Sequence, residues 1–150
     1  MRRTMTILGA LVALLLSAIP VSAVTVAEAT IDVHSSFSER EGTFTADSDL
    51  LCASGMTTDS TLIAGNGRAI TFHNLKTFEC ADGSGTFTLR LQAKVKPCSA
   101  TTSGVWSVAD GTGDYEGLRG TGSLVGTYFP VGCEDPAGID DHLTGVLRLP

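Results

Sequence analysis

Residues 85–96 read Gly85-Thr-Phe-Thr-Leu-Arg-Leu-Gln-Ala-Lys-Val-Lys96. Phe87, Leu89, Leu91, Ala93 and Val95 alternate with Thr86, Thr88, Arg90, Gln92, Lys94 and Lys96. A period of two held over this length is a β-strand with one buried face and one wet face. Runs of the same kind surround it: Thr30–Ser38, Thr43–Ala53, Met56–Ala64, Arg68–Cys80, Gly104–Ala109, Gly120–Phe129 and His142–Leu149. Between them stand Glu41-Gly42, Gly65-Asn-Gly67, Ala81-Asp-Gly-Ser-Gly85 and Pro136-Ala-Gly138, all turn chemistries. Eight short strands with almost no helical signal predict an all-β sandwich or barrel. In Arg68–Cys80 the phase slips, because Ile70, Phe72 and Phe78 share one parity and Leu75 takes the other. That slip predicts a bulge near His73-Asn74.

The first residues bear on the compartment. Arg2 and Arg3 precede an apolar run from Ile7 to Leu16, Pro20 breaks it, and Val21-Ser22-Ala23 offers small residues for cleavage. The run is shorter than the roughly 20 residues that cross a bilayer. This pattern predicts a secretory signal peptide over 1–23, a secreted protein, and a single domain over 24–150. Loss of Arg2 and Arg3 would leave eight basic residues against sixteen acidic ones, a net charge of −8. The acids are spread from Glu28 to Asp141, so they make a solvated acidic surface. Such a surface argues against nucleic acid and anionic membranes as partners, since both are bound by neutralising negative charge. Cys52, Cys80, Cys98 and Cys133 lack zinc-type spacing, and in an exported chain they predict disulfides.

The glycine-rich stretch 108–124 carries glycine at 111, 113, 117, 120 and 122. Gly111-Thr-Gly113-Asp-Tyr-Glu-Gly117 is one residue too long for a dinucleotide fingerprint, no helix follows, and Asp110, Asp114 and Glu116 would repel a pyrophosphate. The alternating acids imitate the start of a calcium loop, but Tyr115 replaces its turn glycine and Thr121 its closing glutamate. The steric reading fits best. Asp110-Gly111 turns the chain, Tyr115 and Leu118 plug back inward, and Gly117, Gly120 and Gly122 remove side chains where the next strand must bend across its neighbours. Arg119 is the one charge expected inside.

Trp106 to Gly122 reads W-x-V-x-x-G-T-G-x-Y-x-G-L-R-G-x-G and resembles the strand–turn–strand signature of allene oxide cyclase-like and dirigent-like β-barrels. The run Phe78–Leu91 is similar to that of small exported bacterial proteins of the same group. The resemblance implies a closed antiparallel barrel of about eight strands, allene oxide cyclase-like or calycin-like, filled or holding one small ligand. No catalytic carboxylate and no cofactor residue of those families aligns with a position here. In an up-and-down barrel, strands of equal parity end on one rim, which predicts bridges Cys52–Cys80 and Cys98–Cys133.

The inward phase of Gly85–Lys96 carries no acid or base. An apolar small ligand is therefore the expected partner, with Phe87, Leu89, Leu91, Trp106, Tyr115 and Arg119 as its candidate contacts. Phe37, Phe44, Phe72, Phe78 and Tyr128 complete the expected core. No metal, no cofactor and no catalytic residue is expected; His34, His73 and His142 are far apart in sequence. A cofactor-free isomerase or cyclase would need charged groups in an apolar phase, where only Arg119 and Glu79 come close. The sequence thus favours a non-catalytic secreted module.

Overall fold

A computed structural model describes residues 23–65, 70–95, 98–130 and 136–150. Eight strands follow one another: β1 (Thr25–Ser36), β2 (Glu41–Asp47), β3 (Ser54–Gly65), β4 (Ile70–Cys80), β5 (Thr86–Val95), β6 (Thr101–Gly111), β7 (Arg119–Phe129) and β8 (Gly138–Leu149). Each pairs antiparallel with its sequence neighbours, and β8 returns to β1 over twelve residue pairs, from Thr25↔Leu149 to Ser36↔Gly138. The sheet is a closed barrel without edges, the arrangement that removes unpaired backbone at a sheet border.

The main differences from the expected boundaries are four. β1 begins at Thr25, β6 reaches from Thr101 to Gly111, β8 begins at Gly138, and the run Thr43–Ala53 divides into β2 and a turn that carries Cys52. The bulge expected near His73-Asn74 is absent. β4 pairs residue for residue with β3 and with β5, and the register shift lies instead between Thr88 and Leu89, facing β6. Leu75 is exposed, and the even-numbered residues of β4 form one uninterrupted inward phase that includes Lys76.

Chain direction defines two rims. The lower rim holds turns 48–53 and 81–85 and the 3-10 turn η1 (Gly113–Tyr115); the upper rim holds turn 37–40 and the opposite strand ends. The Cys52–Cys80 disulfide closes the lower rim, as the rim parity requires. Cys98 is not a free thiol, and its expected partner Cys133 lies outside the described residues, as does the signal peptide expected over 1–23 except for Ala23.

The lower lumen is packed. Phe78 and Phe87 stack with centroids 4.6 Å apart, Phe44 meets Phe78 edge-on at 5.1 Å, and Tyr115 meets Phe87 at 5.4 Å. Aromatic pairs in these arrangements gain energy beyond the area they bury. Tyr115 and Leu118 plug inward as the steric reading requires. The Cys52 backbone N–H donates to Tyr115 Oη at 3.0 Å, tying plug to disulfide. Gly122 of β7 and Gly145 of β8 make room for Trp106, whose ring lies across the inner wall. A Cβ on Gly122 would stand 2.5 Å from its Cε2 and Nε1. The indole N–H donates to the carbonyls of Ser123 and Thr144. Phe37, expected in the core, is 45% exposed in the upper turn.

Candidate functional site

Read from the lower to the upper rim, the inward phases of β4 and β8 go from apolar to polar and back to apolar. β4 runs Cys80, Phe78, then Lys76 and Asn74, then Phe72 and Ile70. β8 runs Leu147, Leu143, then Asp141, then Ile139. Ser35 on β1, Thr57 and Asp59 on β3, and Thr102 on β6 complete a polar belt between two apolar clusters. Two strands contribute glycine at this level. A Cβ on Gly42 would stand 2.8 Å from Thr57 Oγ1, and one on Gly126 would stand 2.6 Å from Asp141 Oδ1. Small residues on the neighbouring strands thus make the room that the polar side chains occupy.

Lys76 is the centre of the belt and is only 1% exposed. Its Nζ donates to Ser35 Oγ at 2.6 Å and lies 3.3 Å from Asp59 Oδ2 and 3.5 Å from Asp141 Oδ2. Asp59 is held in turn by Asn74 Nδ2, which donates to its Oδ1 at 2.6 Å. A buried ammonium keeps its charge only when paired and hydrogen-bonded in this way.

The belt holds two carboxyl groups against one ammonium, and the surplus falls on Asp141. Burial raises the Asp141 carboxyl above the ordinary carboxylate range, more than the Lys76 charge lowers it, with Asp59 and Asp140 adding to the rise. Tyr128, at the edge of the belt, is also raised, by burial and then by the negative charge of Asp141. Two buried atoms have no partner among the described residues, Thr57 Oγ1 and Asn74 Oδ1. Buried polar atoms are normally paired, so two orphans in one belt mark a place where a hydrogen bond is still to be made.

The structure separates the candidate contacts read from sequence. Phe87, Leu89, Leu91, Trp106 and Tyr115 come together, and all five are buried in the packed lower cluster. Arg119 does not join them. It occupies the outward phase of β7, exposed to solvent and opposite Arg148, because Gly120, Gly122 and Leu124 take the inward phase. Glu79 is likewise exposed, between the inward Phe78 and Cys80. Among the described residues the charges in the lumen are Lys76, Asp59 and Asp141, none of which the sequence reading selected. Parity would have found two of them, since Asp141 shares the phase of Ile139 and Leu143, and Lys76 that of Phe72 and Phe78. The three histidines are not gathered at a barrel mouth: all are exposed, His34 and His142 on the outer wall.

No family model matches the chain, and no curated protein and no solved structure matches it.

Proposed function

We propose that this chain is an exported barrel that takes a small molecule into the upper lumen. The molecule's apolar body would rest against Ile70, Phe72, Val95 and Ile139, and its polar group would meet the belt of Lys76, Asp59 and Asp141. One observation carries the reading: a buried ammonium between two carboxyl groups, beside two buried polar atoms that lack partners. The apolar clusters support the location. Among the described residues the upper one has three buried members where the lower has seventeen, so the smaller apolar cluster lies above the belt. The ligand is of a different class from that first expected, because an apolar molecule without a donor would leave the belt unsatisfied. Hydroxyl or amine groups suit the two orphan atoms, since Asn74 Oδ1 can only accept.

Resemblance at Trp106–Gly122 supports an allene oxide cyclase-like barrel, and the disulfide suits an oxidising compartment. Charged side chains on the outward phase, such as Glu28, Asp32, Arg90 and Lys94, suit a protein surrounded by water. A second reading follows from the raised carboxyl of Asp141 beside Tyr128. A buried carboxyl whose burial favours the protonated form is the kind of acid or base that cofactor-free isomerisation or cyclisation requires.

Thermal-shift screening of matched apolar molecules with and without a hydroxyl or amine tests both readings. Stabilisation by the donor-bearing members, reduced in Asn74→Leu, supports binding at the belt. Turnover of a stabilising compound that disappears in Asp141→Asn, with the stabilisation kept, selects the second reading. Stabilisation by none of the compounds, or equal stabilisation by the bare hydrocarbons, contradicts the belt as a ligand seat.

A further inference from the structure

The tripeptide pattern Asp-x-His occurs twice, as Asp32-Val33-His34 in β1 and Asp140-Asp141-His142 in β8. The register of these neighbouring antiparallel strands sets His34 against Asp140 and His142 against Asp32. A local two-fold axis through the Val33–Asp141 pair relates the two halves. Val33 and Asp141 point into the lumen, and the other four residues line one open groove of about 580 Å³ on the outer wall.

Each histidine is oriented by its carboxylate. The Nδ1–Oδ1 distance is 2.6 Å in both pairs. An ionised carboxylate only accepts, so the proton belongs on Nδ1, and Nε2 keeps its lone pair. Metal-ligating histidines are built in this way, with an acceptor behind the ring fixing tautomer and orientation. His34 is held further by Phe129, whose ring is stacked on it at 4.7 Å and 9°. Phe129 reaches His34 across Gly138, where a Cβ would stand 2.8 Å from its Cε2. Diagonal positions on adjacent antiparallel strands lie about 7–8 Å apart. An ion bound at about 2.0–2.1 Å from each nitrogen would bridge two imidazoles set at that spacing.

We propose that this groove binds one divalent transition-metal ion of the zinc and copper class through the Nε2 atoms of His34 and His142, with Asp140 and Asp32 as the shell behind them. Among the described residues no group of three or more His, Cys, Asp or Glu side chains is arranged to hold a metal. The site would therefore offer the ion two protein donors, with water in the remaining positions. Imidazole donors suit these ions and not calcium or magnesium, which take oxygen ligands.

Untagged protein, freed of metal with a chelator and then of the chelator, is titrated calorimetrically with zinc, copper and calcium chlorides. Zinc and copper should each bind at one ion per chain, with affinity reduced at least tenfold in His34→Gln and in His142→Gln. Asp32→Asn or Asp140→Asn should cost about 10–100-fold while both ligands remain. His73→Gln, removing another exposed histidine, should change nothing. Metal-free melting temperature checks that each variant folds. Should a variant fail that check, zinc-dependent shifts of the His34 and His142 ring nitrogens in the unmutated protein replace it. Absence of saturable zinc or copper binding, binding that survives both histidine substitutions, dependence on His73, or equal binding of calcium would each overturn the proposal.

Discussion

Lys76 decides what the lumen can do, and its partners make its removal costly. Lys76→Met would leave Asp59 and Asp141 buried without their counter-charge. Loss of one member of a buried ion pair costs about 3–5 kcal/mol, so urea unfolding of Lys76→Met should show a loss of that order. Asp141 gives the belt a pH dependence. Its carboxyl is raised in the folded protein, so the native state binds that proton more tightly than the unfolded chain does. Its contribution to stability is therefore full below the unfolded carboxylate range and falls as pH climbs from there through the folded value. The stability of Asp141→Asn relative to the unmutated protein should rise across that window, as measured by denaturation at a series of pH values. A difference that stays flat or falls would mean that Asp141 is not raised. These residues were legible only in part. The period of two in β4 and β8 already contained Lys76 and Asp141 in apolar phases. Exposed Leu75 drew attention to a bulge instead, and the meeting of β1, β3, β4 and β8 side chains depends on closure that no local pattern displays.

The strand–turn–strand from β6 to β7 shows how much an element can reveal beforehand. Its glycines read correctly as steric, because glycine in such numbers without a following helix has few other uses. The partner they serve was not legible, since Trp106 meets Gly122 and Gly145 only when β6, β7 and β8 are side by side. Gly122→Val should strain this packing by about 1–3 kcal/mol or more, because the indole is fixed by its bonds to Ser123 and Thr144. Asp114→Ala, at an exposed position in η1, should stay within about 0.5 kcal/mol. Thermal melts of the two variants side by side check the difference, and equal shifts would remove the steric account. Arg119 was misplaced for a related reason. A charge among glycines reads as enclosed, yet alternation along β7 turns it outward.

At the scale of the molecule, the resemblance implied the closed barrel, and its up-and-down order puts Cys52 and Cys80 together on one rim. The Cys52–Cys80 bridge closes a separation of 28 residues at the lower rim. Non-reducing peptide mapping should recover it together with Cys98–Cys133, and a Cys80–Cys98 peptide would contradict the rim assignment. What strand order alone left open was the filling of the barrel: a packed lower lumen, a charged belt, and a thinner apolar layer above. That layering is the central claim, and methyl NMR with a stabilising donor-bearing ligand tests it most directly. Binding at the belt should shift the methyl signals of Ile139 and Ile70 above it and leave those of Leu89 and Leu147 in the packed lower cluster unmoved. Shifts centred on Leu89 and Leu147, with Ile139 unchanged, would place the ligand in the wrong half of the barrel and contradict the account.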